Sequence, residues 1–262
     1  MVRLSVSDLA FSYRDRPVLS DIAFCVDAGE VLGLVGPNGC GKTTLIKCVD
    51  GILTPCRGRV ALEGQDLARM HRREVARLIA YVPQSITNHT SSTVFETVLM
   101  GRRPYLNWSV RPEDEEKVQE ALSLLDLDDL AFRQVRELSG GERQRVMIAR
   151  AIAQETKAIL LDEPTSSLDV HHQMAVMEVI RSLAEERDLS VVIAVHDLNL
   201  AAAFCHRLLV MKQGSIQGNG IPADVLTAAT IRDVYGIDAV VKHDLATPYM
   251  VPVPSGRRRG KT

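Results

Sequence analysis

The sequence predicts an α/β fold, a parallel sheet with a block of helices inserted into it, on three observations. The run "EVLGLVGPNG" is a short apolar strand that leads directly into a glycine-rich loop, and "KTTLIKCVDGI" continues it as a helix. Further on, "AILLDE" and "SVVIAVHD" are non-alternating apolar runs of the kind buried parallel strands have, with the helical pattern "VHHQMAVMEVIRSLAEE" between them. Between residues 85 and 154 strand patterning disappears.

The remaining elements follow in order. Leu4, Val6, Leu9 and Phe11 are mostly two apart, as are Ile22, Phe24 and Val26, which predicts two strands. "GRVALEGQDL" reads as a strand and turn, and "LIAYVPQ" as a strand ended by Pro83 and Gln84. "TVFETVLMGRRPYL" has helical spacing. "RPEDEEKVQEALSLLDL" predicts a helix with Pro112 and acidic residues in its first turn, and Val118, Ala121, Leu122 and Leu125 on its apolar face. "LLVMKQGSIQGNG" predicts a hairpin. The organisation expected is a core of residues 1–84 and 155–220, a helical subdomain 85–154, and an appendage 221–262.

Composition narrows the function. With 46% apolar residues in 262, a sizeable core is available. The net charge of -2 gives no general attraction to nucleic acid, so none is expected as a partner. The basic "GRRRGK" near the end reads as a solvated tail or as a contact with an anionic membrane surface. Five cysteines without a C-x-x-C pair make neither a disulfide framework nor a zinc site and suit a reducing compartment. Neither a signal peptide nor an apolar run of membrane-spanning length is visible, so a protein soluble by itself is expected.

The chemistry concentrates at strand ends. "GPNGCGKT" (Gly36, Pro37, Asn38, Gly39, Cys40, Gly41, Lys42, Thr43), followed by Thr44, matches the phosphate-binding pattern G-x-x-x-x-G-K-[ST] in full, between a strand and a helix. Its glycines let several backbone N–H groups point at one anion, and the helix start adds positive potential. Lys42 suits the β- and γ-phosphates, and the Thr43 hydroxyl suits Mg²⁺. The motif predicts nucleotide binding and leaves many functions open. Asp162 ends an apolar strand, where it can hold Mg²⁺ through water, and Glu163 can then act as general base; a pair of helix caps is the plainer alternative. His196 ends another strand at the same expected edge, as a γ-phosphate contact or as a structural histidine.

A second stretch, "RELSGGERQR" (residues 136–145), also has the form of a phosphate grip at a helix start. With this element, the glycine-rich loop, the acidic pair and the strand-end histidine in that order, the sequence resembles the ATPase subunit of ABC transporters over nearly the whole chain to about Gly220. The resemblance implies a P-loop NTPase (RecA-like) core with an antiparallel β subdomain and an inserted α-helical subdomain. It implies ATP and Mg²⁺ as ligands, with Tyr13 stacking on adenine (otherwise an ordinary strand aromatic) and Gln84 as Mg²⁺ ligand and γ-phosphate sensor. Asp162, Glu163 and His196 match the acidic metal ligand, the catalytic glutamate and the switch histidine.

Within one chain the second grip is carried away from Lys42. The expectation is therefore a head-to-tail dimer in which Ser139, Gly140, Gly141, Glu142 and Asp169 contact ATP held by the other copy. Two departures stand out: Glu142 replaces the usual glutamine, a mild electrostatic cost, and Cys40 sits within the loop, which predicts sensitivity to alkylation.

The resemblance further implies two separate transmembrane permease subunits, docked around residues 85–104. It also implies a periplasmic or extracellular substrate-binding protein acting through them, and a peripheral place on the cytoplasmic face of the membrane. "VLMGRRPYLNW" and "SSLDVHHQMAVMEVIRSL" are similar to the branch that imports ferric siderophores, haem and cobalamin. An iron chelate is the first expectation for cargo, then haem, cobalamin or a molybdate-type oxyanion. Soluble ABC ATPases of ribosome or DNA work, or of metal-cluster assembly, are the alternative class.

Overall fold

The computed structural model describes residues 2–84, 91–106, 109–243 and 247–253. The chain opens with the long antiparallel strands β1 (Val2–Tyr13) and β2 (Arg16–Asp27), followed by β3 (Val31–Val35) and α1 (Lys42–Val49). Next come β4 (Arg57–Leu62), β5 (Gln65–Asp66), α2 (Arg72–Leu78) and β6 (Ile79–Val82). Three helices follow: α3 (Val94–Leu99), α4 (Pro112–Ser123) and α5 (Gly140–Ala153). The pattern then returns to alternation with β7 (Ala158–Asp162), α6 (Val170–Glu186), β8 (Ser190–Ala194), α7 (Leu198–Phe204), β9 (Arg207–Lys212) and β10 (Ser215–Gly220). The described chain ends with α8 (Pro222–Val225), α9 (Ala228–Tyr235) and the hairpin β11 (Ala239–Lys242) and β12 (Tyr249–Pro252).

The main sheet has the order β10-β9-β3-β8-β7-β6, and a second, antiparallel sheet has the order β2-β1-β4-β5. In the main sheet β9, β3, β8, β7 and β6 run parallel, and β10 closes one edge as the antiparallel arm of a hairpin. Every residue of β3, β7 and β8 is buried, which is why their sequences show no alternation. The two faces still divide the side chains. Leu32, Leu34, Leu160, Val192 and Ala194 pack with the antiparallel sheet and α1, whereas Val31, Val35, Ile159, Leu161, Val191 and Ile193 pack with the helices on the other face. Each such aliphatic side chain contributes roughly 1.5–3 kcal/mol by leaving water.

The irregular spacing in β1 has a local cause. The register shifts between Val6 and Leu9, and Asp8 there has φ 49, so an extra residue is accommodated and the apolar set returns to the core face. The segment 221–262, expected as an appendage, is joined to the main core where it is described. Val225, Leu226, Ile231 and Val234 are buried in it, and Asn199 of α7 exchanges two hydrogen bonds with the Met250 backbone, at 3.2 and 2.6 Å. The basic "GRRRGK" tail lies outside the described residues.

The "GRRPY" segment, residues 101–105, ties the helical block to the sheet. Gly101 passes so close to α5 that a Cβ there would lie 2.2 Å from the Arg150 carbonyl oxygen. Arg102 is buried and donates to Asp114 of α4 (3.0 Å), to the Ala153 carbonyl (2.8 Å) and to Glu155 (2.8 Å), with its guanidinium 4.4 Å from the Tyr105 ring centroid. Burial disfavours the charged form of Asp114, but hydrogen bonds from Arg102 and the Arg111 N–H outweigh it and hold the carboxyl below its ordinary range. Removing one partner of a knot like this costs about 3–5 kcal/mol, because the other charge stays buried.

Candidate active site

Four adjacent strands deliver the predicted residues to one edge. In the sheet order β3-β8-β7-β6, the loop 36–41 follows β3, His196 lies just beyond β8, Asp162 and Glu163 stand at the end of β7, and Gln84 follows β6. This is the carboxyl edge of a parallel sheet, where ligands of such folds bind.

The loop is shaped by contacts beneath it. At Gly36 (φ 151) a Cβ would meet the Met211 carbonyl oxygen at 2.3 Å, so only hydrogen fits. The Cys40 carbonyl accepts a bond from the Gly214 N–H at 2.9 Å, which fastens the loop to the β9–β10 turn. Gly41, with φ 110, is the N-cap of α1 and leaves its first N–H groups without a side-chain cap. Lys42 is buried and curls back to donate to the carbonyls of Gly36 (2.7 Å) and Pro37 (3.4 Å).

The Cys40 thiol faces away from the loop's mouth. It is 5% exposed, belongs to the core beside α1, and burial raises its pKa above the ordinary value. A protonated, enclosed thiol is a poor nucleophile. The expectation that alkylation would strike beside the phosphates is thereby corrected.

The acidic pair is divided in its partners. Thr43 donates its hydroxyl to Asp162 at 3.0 Å. Burial, then the Glu163 charge, push Asp162 above its ordinary pKa, against the Thr43 hydrogen bond and the positive charges of Lys47 and Lys42. Glu163 turns out of the sheet with φ 53, and one oxygen accepts from the Gln84 amide while the other pairs with His196 Nε2. The cavity enclosed here is about 280 Å³ and is lined by Asn38, Gly39, Gly41, Lys42, Thr43, Thr44, Gln84, Glu163 and His196, with Val18 from β2. Val18 was not singled out in the sequence, where it is one apolar residue of a strand.

Thr43, Asp162 and Gln84 form an all-oxygen donor set, since the Gln84 amide nitrogen is engaged with Glu163 and its oxygen is open among the described residues. A few hard oxygens of this kind fit Mg²⁺, which keeps water and takes further ligands from phosphate. Tyr13 does not line this cavity. It is 49% exposed at the end of β1, edge-on to Phe11 at 4.8 Å.

The second grip lies in a separate cavity of about 430 Å³, lined by Ser139, Gly140, Gly141, Glu142, Asp169 and neighbours including Arg145 and His172. It shares no residue with the first. Ser139 caps α5. Its hydroxyl accepts from the Glu142 N–H (3.2 Å), and its own N–H donates to the Glu142 carboxylate (2.7 Å). The Ser139 N–H, and then the Ser139 hydroxyl, stabilise the charged Glu142 carboxylate and hold it below its ordinary pKa. Asp169 caps α6 through the His172 N–H at 2.9 Å and faces His172 Nδ1 at 2.8 Å.

Comparison with known proteins agrees with this architecture. A family model described as "ABC transporter" matches residues 19–166. An uncharacterized ABC transporter ATP-binding protein of Methanocaldococcus jannaschii is 40% identical over 95% of this chain and 98% of its own length. A petrobactin import ATP-binding protein of Bacillus anthracis is 36% identical over 98% and 95%. A hemin import ATP-binding protein of Thermobifida fusca is 40% identical over 96% and 89%. Among solved structures, an inward-facing ABC transporter assigned to the metal-chelate type superposes with TM-score 0.84 and 30% identity, covering 97% of this chain and 99% of that one.

Proposed function

The chain belongs to the ABC transporter family, and from that premise we propose that it is the ATP-hydrolysing subunit of an importer for an iron chelate. The observation that carries the hydrolytic part is the position of Glu163, held by Gln84 and His196 beside the phosphate-binding loop. With ATP bound, Lys42 moves from the loop carbonyls to the β- and γ-phosphates, and Tyr13 covers the adenine. Thr43, Gln84 and Asp162 would hold Mg²⁺, and the ion would supply neutralisation of charge on the phosphate oxygens. Gln84 and His196 turn from Glu163 to the γ-phosphate. The freed carboxylate takes a proton from water as its oxygen attacks phosphorus and the bond to ADP breaks.

Ser139, Gly140, Gly141, Glu142 and Asp169 of a second copy complete each site. The separation of the two cavities within one chain supports this head-to-tail arrangement. No helix among the described residues is long and apolar enough to cross a membrane. The relatives named as import ATP-binding proteins support separate permease subunits and a peripheral place on the cytoplasmic face. The permease docks in the groove between α2 and the turn after α3. Of the predicted docking segment, residues 85–90 lie outside the described residues. A binding protein delivers the cargo from the far side. Relatives named for petrobactin, hemin and cobalamin import support a cargo within that group, of which a ferric siderophore is the first choice, before haem, cobalamin or an oxyanion.

The test is ATP hydrolysis by the membrane complex in liposomes against a panel of loaded binding proteins. Stimulation by ferric siderophore is expected. Stimulation by another cargo and none by iron chelates would displace the iron assignment, and a chain that binds no permease would displace transport.

A further inference from the structure

The groove between α2 and α5, about 960 Å³ in volume, holds positive charge that the protein does not use internally. Some of its cations are committed. Arg72 donates to the Asp50 carbonyl at 2.9 Å and lies 3.8 Å from its carboxylate. Arg73 donates to the carbonyls of Pro104 and Leu106, at 2.9 and 2.7 Å. Glu96, an acid on the same wall, is committed too, because its carboxylate accepts the Thr93 N–H at 2.7 Å at the start of α3.

Arg150 is different. It lines the groove from α5, is half-buried, and its side chain makes no hydrogen bond or ion pair with any described residue. Burial lowers its pKa, and no carboxylate acts in the other direction. Arg103, exposed on the rim, is likewise without a side-chain partner among the described residues. A guanidinium drawn out of water without a counter-charge is unfavourable, and the fold does not relieve it by moving the helix, because Gly101 is packed against the Arg150 backbone. Beside these cations the groove is apolar, with Leu99 on the wall and Met100 52% exposed.

We propose that Arg150, with Arg103 at the rim, receives a carboxylate from the permease segment that docks here. That segment presents an apolar side to Leu99 and Met100 and an acidic residue that enters between the two arginines. A planar guanidinium suits a carboxylate in two-point contact, which fixes orientation as well as affinity. The inference rests on the transport reading above and adds the chemistry by which the partner is recognised.

The experiment titrates the full-length chain onto the permease of its own transport system in lipid nanodiscs. Arg150→Glu is expected to weaken binding by at least about tenfold, the scale for a desolvated ion pair broken on one side. Arg103→Glu weakens it less, and Arg150→Lys falls between wild type and Arg150→Glu. Basal ATPase of the free chain stays within about twofold, as for a substitution outside the catalytic machinery. Exchanging the permease's cytoplasmic Asp and Glu residues one at a time for Arg restores binding to Arg150→Glu at one position. The proposal is overturned if Arg150→Glu binds as tightly as wild type, or if no exchange restores it, the result expected for an anionic lipid or for a purely structural role. Wild-type chain that fails to bind the permease overturns the transport reading instead. Should Arg150→Glu not fold, Arg150→Gln and Arg103→Glu carry the same readout.

Discussion

At the loop after β3, the glycines stand between a buried strand and α1, and Lys42, Thr43, Asp162 and Glu163 are already engaged with the loop carbonyls, with one another, or with Gln84 and His196. At the start of α5, the glycines are the first turn of a helix, and Ser139 and Glu142 engage each other. Both regions are glycine-rich helix starts, yet the first is walled by four strand ends and the second is a cap with a cavity in front of it. A site that satisfies its own helix end and leaves its glycines facing outward has something to offer only to a molecule that arrives from elsewhere.

The largest effect should come from the walled side. Glu163→Gln keeps the shape of the side chain and removes its basicity, so ATP binding persists while turnover falls by at least about 100-fold. Steady-state hydrolysis beside a nucleotide titration reads both, and normal turnover would end the assignment of Glu163. Next is Ser139→Arg. It removes a helix cap worth about 1 kcal/mol, visible as a lower Tm, and fills the open cavity. Nucleotide affinity of the monomer should be unchanged, while ATP-driven dimerisation and most hydrolysis are lost. A monomer that hydrolyses at full rate would collapse the distinction between the two regions.

A chemical probe gives a smaller effect. Alkylation of the native protein should label exposed Cys56 to completion before Cys40 reacts, with activity retained, as read by mass spectrometry and ATPase assay. Early labelling of Cys40 would mean that its loop opens. Smallest is Glu142→Gln, since glutamine closes the same capping box. Turnover should stay within about twofold and stability within about 0.5 kcal/mol. A large gain in dimer affinity would instead place the carboxylate against the partner's phosphates.

Much of this was legible in the sequence because it depends on local order. The glycine spacing of residues 36–41, the acids at the end of "AILLDE" and the histidine near the end of "SVVIAVHD" each stand at a strand end, and parallel strands align their ends. Other features depend on what lies across the fold. That the Cys40 side chain enters the core could not be read from "NGCGK", since it is set by Met211 and Gly214 far along the chain. Nothing in "MGRRPY" separates Arg102 from Arg103, because Asp114, Ala153 and Glu155 close around Arg102 only in the fold. Val18 became part of the cavity only because β2 passes beside α1. Ile231 and Val234 lie in the segment read only as an appendage, and the eight residues of α9 are too few for their spacing to show a buried face.

Ser139 and Arg150 belong to one uninterrupted helix. Eleven residues at about 1.5 Å each put them roughly 16 Å apart along a single stiff axis. A helix of this length acts as a lever arm: a tilt of about 10° pivoted at the capped end displaces the far end by about 3 Å, as much as the length of a hydrogen bond. Because Gly101 grips the arm at Arg150 and Arg102 binds its last turn to α4, such a displacement carries the wall of the groove between α2 and α5 with it rather than bending the helix.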